Sequence, residues 1–188
     1  MKIRSVVLLA GVFVGVVAGA APEYKTSLYG GLNSSEFKTS NSGSYDRDFG
    51  YDFGSEFIFD FGQPVKFRTG AGIAKKNSTL KFGTFKIDVE FMYLEVPVTA
   101  LFQLNESIGL FGGLNFDLKI SDECGGSGVG TCKVQDPESL VYNLVLGGRY
   151  NISGQHNIVV PLEIGMSDMF KDTKLANSLG VRYAYQFN

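Results

Sequence analysis

The chain has little histidine, cysteine or proline: one His, two Cys and five Pro in 188 residues. Beyond its first twenty residues it also lacks any run of 18 apolar residues, which excludes a helical membrane protein but says nothing against crossing a membrane with strands. No cysteine follows the N-terminal segment closely, so nothing supplies a lipid-anchored N-terminus. Charge of one sign is scarce too. The formal net charge is −2, or −4 once Lys2 and Arg4 are set aside, too mild to imply a nucleic-acid partner or an acidic tail. The single histidine, His156, sits in the turn-like stretch Ser153-Gly154-Gln155-His156. Hydrolytic or acyl-transfer chemistry therefore has little support, because an unassisted hydroxyl is a weak nucleophile. A carboxylate-only mechanism stays open, but no catalytic residue, cofactor or metal is assigned, and the expectation is a non-enzymatic protein.

What is present begins with a targeting segment. Residues 1–20 read as a charged start (Lys2, Arg4), a mostly aliphatic run from Val6 to Val17 and the small residues Ala18-Gly19-Ala20. This predicts a cleavable secretory signal cut after Ala20, leaving residues 21–188 as one mature domain. That domain is rich in glycine and aromatics, with 24 Gly, 16 Phe and 9 Tyr over the whole chain.

From residue 24 onward the dominant period is two, the mark of strands whose faces meet different surroundings. Phe49, Tyr51, Phe53, Phe57, Phe59 and Phe61 share one face, with Gly50, Asp52, Gly54, Glu56 and Asp60 on the other. The pattern recurs over 108–120, 140–152, 157–167 and 177–187, and more weakly near 24–33, 65–75 and 90–104. Three connections are tight (Gly62-Gln63-Pro64, Asn105-Glu106-Ser107 and Ser153–His156), while those near 34–48, 76–88, 121–139 and 168–176 are longer and polar. Short and long links alternate, as they do in a transmembrane barrel. A bilayer also demands closure, since an open sheet edge cannot survive in lipid. The predicted fold is all-β: an eight-stranded antiparallel up-and-down transmembrane β-barrel.

Two features fit imperfectly. Pro97 and Pro161 fall inside strands, where each deletes a ladder hydrogen bond; local bulges are expected there. The apolar phase also switches, from Phe85, Ile87, Val89, Phe91 and Tyr93 to Leu94, Val96, Val98, Ala100, Phe102 and Leu104. Either a bulge lies near Tyr93, or the upstream part projects beyond the membrane.

Tyr93-Leu94-Glu95-Val96-Pro97, the aliphatic run to Leu104, a tight turn and Leu110-Phe111-Gly112-Gly113-Leu114 together resemble the PorT-like family of small outer-membrane β-barrel domains. The resemblance covers nearly all of the mature chain. It implies an eight-stranded barrel in a Gram-negative outer membrane, and no single shared activity. The last strand, with Tyr183, Tyr185 and Phe187 at alternate positions, looks like the barrel-assembly signal of outer-membrane proteins, although Asn188 follows the final aromatic. Outer-membrane lipid and the barrel-assembly machinery are the expected partners; no extracellular partner is identified.

With the apolar face toward lipid, the other face fills the lumen. Asp52, Glu56, Asp60, Glu95, Asp117 and Glu163 are then balanced by Lys25, Lys66, Arg68, Lys119, Arg149 and Arg182. So narrow an interior obliges charges to pair, and Glu56, Glu95, Arg149 and Arg182 are expected at the centre of that network. An ion path or binding site is the rival reading. Cys124 and Cys132 lie in one predicted outer loop and are expected to form a disulfide in an exported protein; a zinc site would lack ligands. The intervening glycines lack the features of a phosphate loop. Residues 34–48, with Phe37 and Tyr45, suit either adaptable surface contacts or simple solvation. The expected function is a structural or surface-interaction role through the outer loops, the alternatives being a narrow porin-like channel for ions or small solutes, and a soluble ligand-binding barrel with the apolar face inward.

Overall fold

Alternation along each strand is the reason for the architecture, because a residue and its neighbour point to opposite faces of a pleated sheet. The computed structural model describes residues 22–39, 45–82, 85–126, 134, 137–170 and 172–187. The strands are β1 (Glu23–Thr39), β2 (Tyr45–Asp60), β3 (Val65–Phe82), β4 (Phe85–Gln103), β5 (Ile108–Gly125), β6 (Leu140–Ser153), β7 (His156–Gly165), β8 (Asp168–Phe170) and β9 (Thr173–Phe187). From β1 to β7 each pairs antiparallel with its neighbour in order, β9 pairs with both β7 and β1, and the three-residue β8 lies on β9 past the end of β7. The result is a closed eight-stranded antiparallel barrel. Its seam runs from Thr26↔Phe187 to Thr39↔Thr173.

Leu28, Phe53, Leu114, Leu146, Val181 and many other large apolar side chains point outward and are exposed. Charged and amide side chains point inward and are buried. A continuous apolar belt of this extent would be an anomaly in water and is what lipid requires. At the end of the tight turns, Gly62 and Gly154 adopt φ of 73° and 47°, the left-handed conformation open to glycine without penalty. Asn105 accepts bonds from the Ser107 and Ile108 amides, each 2.9 Å, which closes the third turn.

The loop end departs from the sequence reading. Residues expected in loops, 34–39, 76–82 and 85–88, continue the ladder as strand. Their outward positions are polar (Lys81, Lys86, Asp88), so the apolar phase fades while the hydrogen bonding does not. The switch near Tyr93 has the same origin. Odd residues from Val89 to Thr99 face inward throughout, and the outward partners upstream are Lys86, Asp88 and Glu90: this part stands beyond the apolar belt. A bulge does occur at that level, but the unpaired residue is Ile120 of β5, between Met92↔Ser121 and Tyr93↔Lys119.

The bulges expected at the two prolines are absent. Ladder pairs are missing between Thr69↔Val98 and Gly72↔Glu95, and between Val159↔Arg182 and Leu162↔Leu179, with the register unchanged across each gap. Proline is accommodated by skipped bonds opposite glycine: Gly180 would place a Cβ 3.0 Å from the Pro161 ring.

Inside, apolar layers flank the charges. Tyr29, Ile58, Leu101, Phe111, Val145, Val159 and Ala184 form one. At the loop end Phe37, Val89, Phe91, Tyr93, Val141, Met169 and Leu175 form the other. Tyr29 reaches across the inner wall because β2 and β3 present glycine there. A Cβ on Gly72 would lie 2.1 Å from its hydroxyl, and one on Gly54 2.8 Å. Gly72→Ala is therefore expected to cost about 1–3 kcal/mol through overpacking. In the Tyr29→Leu background the same change should cost less, as read from urea unfolding of the barrel in lipid vesicles; an equal cost in both backgrounds would refute the contact.

Candidate functional site in the barrel lumen

Inward positions of seven strands supply the lumen: Asp52 and Glu56 (β2), Arg68 and Lys76 (β3), Glu95 (β4), Asn115 and Asp117 (β5), Asn143 and Arg149 (β6), Asn157 and Glu163 (β7), Arg182 and Gln186 (β9). All are buried. They fall into two groups rather than one.

Nearer the tight turns, Glu56 accepts from Arg68 Nε at 2.7 Å and from Arg149 Nη1. Arg149 also donates to Asn157 Oδ1 (3.0 Å) and Gln186 Oε1 (3.2 Å), and the Arg68 guanidinium lies 4.4 Å from the Phe111 ring centre. Every charge here has a partner of opposite sign. This is the condition for burying ions without a large desolvation penalty.

Nearer the loops, the centre is Lys76. Its ammonium donates to Asp117 Oδ2 (2.7 Å) and Glu163 Oε2 (2.6 Å) and pairs with Glu95 Oε1 at 2.9 Å. Arg182 bonds Asp52 Oδ2 (2.9 Å) and Glu95 Oε2 (3.1 Å), lies 3.9 Å from Glu163 Oε1 and packs over Tyr29. The Asn115 amide donates to Asp117 Oδ1 (2.9 Å) and Glu163 Oε1 (3.3 Å), and Asn143 donates to Asp117 Oδ2 (2.7 Å). Glu95, Asp117 and Glu163 each offer an oxygen within 4.8 Å of the others, a spacing that could hold a metal ion. The lysine ammonium already fills that role.

Glu56 and Arg149 are thus brought together in one group, and Glu95 and Arg182 in the other. Lys76 was missed because it falls in the predicted loop 76–88. Its signal was the continuation of Gly72 and Ala74 on the same phase of β3. Of the other charges expected to face inward, Lys25 is exposed and Lys66 pairs with Asp60 (2.6 Å) at the tight-turn mouth. The hydrogen bond from Lys66, followed by that from the Gly62 amide, holds the Asp60 carboxyl below its usual range. Lys119 pairs with Asp122 at 2.5 Å.

Other anticipated residues are scattered. Phe37 is no surface contact: it is 2% exposed and packs on Tyr45 and Phe91. His156 opens β7, with Nδ1 2.5 Å from Tyr183 Oη and its ring against Tyr185, which in turn packs on Phe187. Cys124 lies near the end of β5. Ala20, Cys132 and Asn188 lie outside the described residues.

No family model matches the sequence, and no curated protein matches it. Among solved structures the barrel is similar to Ail, the attachment invasion locus protein of Yersinia pestis, with a TM-score of 0.53 and 17% identity over 88% of this chain and 99% of that one. It is also similar to Neisserial surface protein A, with a TM-score of 0.51 and 9% identity over 86% and 95%. Both are small outer-membrane eight-stranded barrels. At such identities the likeness establishes the fold alone.

Removing the central ammonium leaves three carboxylates facing one another out of water. Lys76→Met is expected to lower the unfolding free energy by about 3–5 kcal/mol. Lys66→Met, at the half-open mouth, should change it by no more than about 1 kcal/mol. Urea titration of both variants in the same vesicles checks the contrast; similar small losses would count against a Lys76-centred network.

Proposed function

We propose that the protein is a non-enzymatic, integral outer-membrane β-barrel whose role is structural or one of surface interaction through its loops. The observation that carries this reading is the pairing of an apolar exterior with a sealed, charge-filled interior. Lys76, Glu95, Asp117 and Glu56 are 1–2% exposed, so side chains fill the cross-section at both charged layers. The aromatic layer of Phe37, Phe91 and Tyr93 covers them at the loop end. This packing speaks against a standing pore and favours a rigid stake that presents loops on one side of a membrane. The resemblance to the PorT-like family supports the same placement, as does the similarity to outer-membrane barrels.

In this reading the N-terminal segment directs export and is cut after Ala20, and the machinery that assembles barrels recognises Tyr183, Tyr185 and Phe187. Those three share the outward face of β9, where a membrane-bound receptor can meet them. Cys124 and Cys132 form a disulfide that ties down the longest outer loop.

The protein should fractionate with the outer membrane and migrate differently on a denaturing gel before and after boiling. In planar bilayers it should give no reproducible conductance. Soluble periplasmic recovery would overturn the membrane assignment, and steady ion conductance would restore the channel reading. Alkylation of the folded protein should modify no cysteine before reduction and two after it.

A further inference from the structure

Among the described residues, the lumen buries five carboxylates (Asp52, Glu56, Glu95, Asp117, Glu163) and four cations (Arg68, Lys76, Arg149, Arg182), none more than 7% exposed. One negative charge is left over in a space closed to water, where an uncompensated ion is strongly disfavoured. Its place follows from the contacts. Glu56 has two arginines, Glu95 has both Lys76 and Arg182, and Asp52 has Arg182. Asp117 has only the shared Lys76 ammonium and two asparagine amides, while Glu163 adds an arginine no nearer than 3.9 Å.

A separate observation points the same way. The Asn115 amide is wedged between Asp117 and Glu163, yet its Oδ1, like that of the fully buried Asn143, has no hydrogen-bond donor. Lys76 donates to Asp117 Oδ2 and Glu163 Oε2 and lies 2.9 Å from Glu95 Oε1, which, like Asp52 Oδ1, also lacks a hydrogen-bond donor. The cluster is therefore rich in acceptors and short of donors, and a carboxyl O–H would supply one.

We infer that the Asp117–Glu163 pair is a proton-binding site, in which one proton, shared between the two carboxyl groups, completes the charge balance of the lumen at neutral pH. The proton comes from solvent as the barrel closes. Two carboxylates this close do not both ionise when cations are too few. The groups that face the pair are Lys76 from β3, Tyr93 and Glu95 from β4, Asn143 from β6 and Arg182 from β9, with Asp52 of β2 bonded to Arg182. Tyr29 of β1 lies behind Arg182.

Infrared spectroscopy of the full barrel in lipid vesicles at neutral pH tests this. The wild type should show the carbonyl stretch of a protonated carboxyl group, displaced on exchange into D2O. Asp117→Asn with Glu163→Gln keeps the shapes and removes both titratable groups, so it should abolish the band. Asp52→Asn should leave it in place. A wild-type spectrum without the band would overturn the inference whatever the variants do, and so would a band undiminished in the double variant. Absence of the band together with a melting temperature that rises with sodium or potassium would assign the balancing charge to a metal cation instead.

Discussion

In the proposed membrane placement a backbone amide or carbonyl that meets lipid has no water to bond, and the rest of the structure follows from that constraint. It makes β1 and β9 pair along the seam from Thr26↔Phe187 to Thr39↔Thr173, so that the sheet has no edge. Closure at eight strands leaves an interior only wide enough for side chains. Residues facing in cannot keep a hydration shell, and charges there must find one another. The outer belt and the inner network are two consequences of one requirement.

The two prolines show how far the requirement bends. Each sits in a strand with two consecutive ladder pairs missing, the proline opposite Gly70 or Gly180, and the register is unbroken beyond them. So local a loss is tolerated where the strands stay aligned. The register shifts lie elsewhere: at Ile120, beside Leu175 and between Arg47 and Asp52 toward the loop end, and between Asn151 and Ser153 beside a tight turn.

This also explains what the sequence disclosed. Phe49 to Phe57, Leu140 to Ile152 and Leu179 to Phe187 announce their facing because their exposed outer positions are almost all apolar, as the proposed lipid contact requires. The fold, the strand order and the inward placement of Glu56, Glu95, Arg149 and Arg182 could be read from that alternation. Lys76 could not: its chain neighbours Lys75 and Asn77 are both polar, and nothing in composition separates strand from loop. Phe37, Val89 and Phe91 misled for the complementary reason, being apolar residues that face inward as a cap. Which carboxylate meets which cation was not legible either, since it depends on barrel stagger rather than on facing. Lys76 of β3 reaches Glu95 across one strand interface but Glu163 across the lumen.

The central claim, that the apolar face meets lipid and the charged face is sealed within, can be measured at neighbouring residues of one strand. The chain has no tryptophan, so a single introduced indole reports without background. Leu144 and Val145 of β6 point to opposite faces, Val145 being 4% exposed inside the barrel. In vesicles of brominated phospholipid, the account predicts strong quenching of Leu144→Trp fluorescence and little of Val145→Trp. Equal quenching at both sites, or the reverse order, would contradict it.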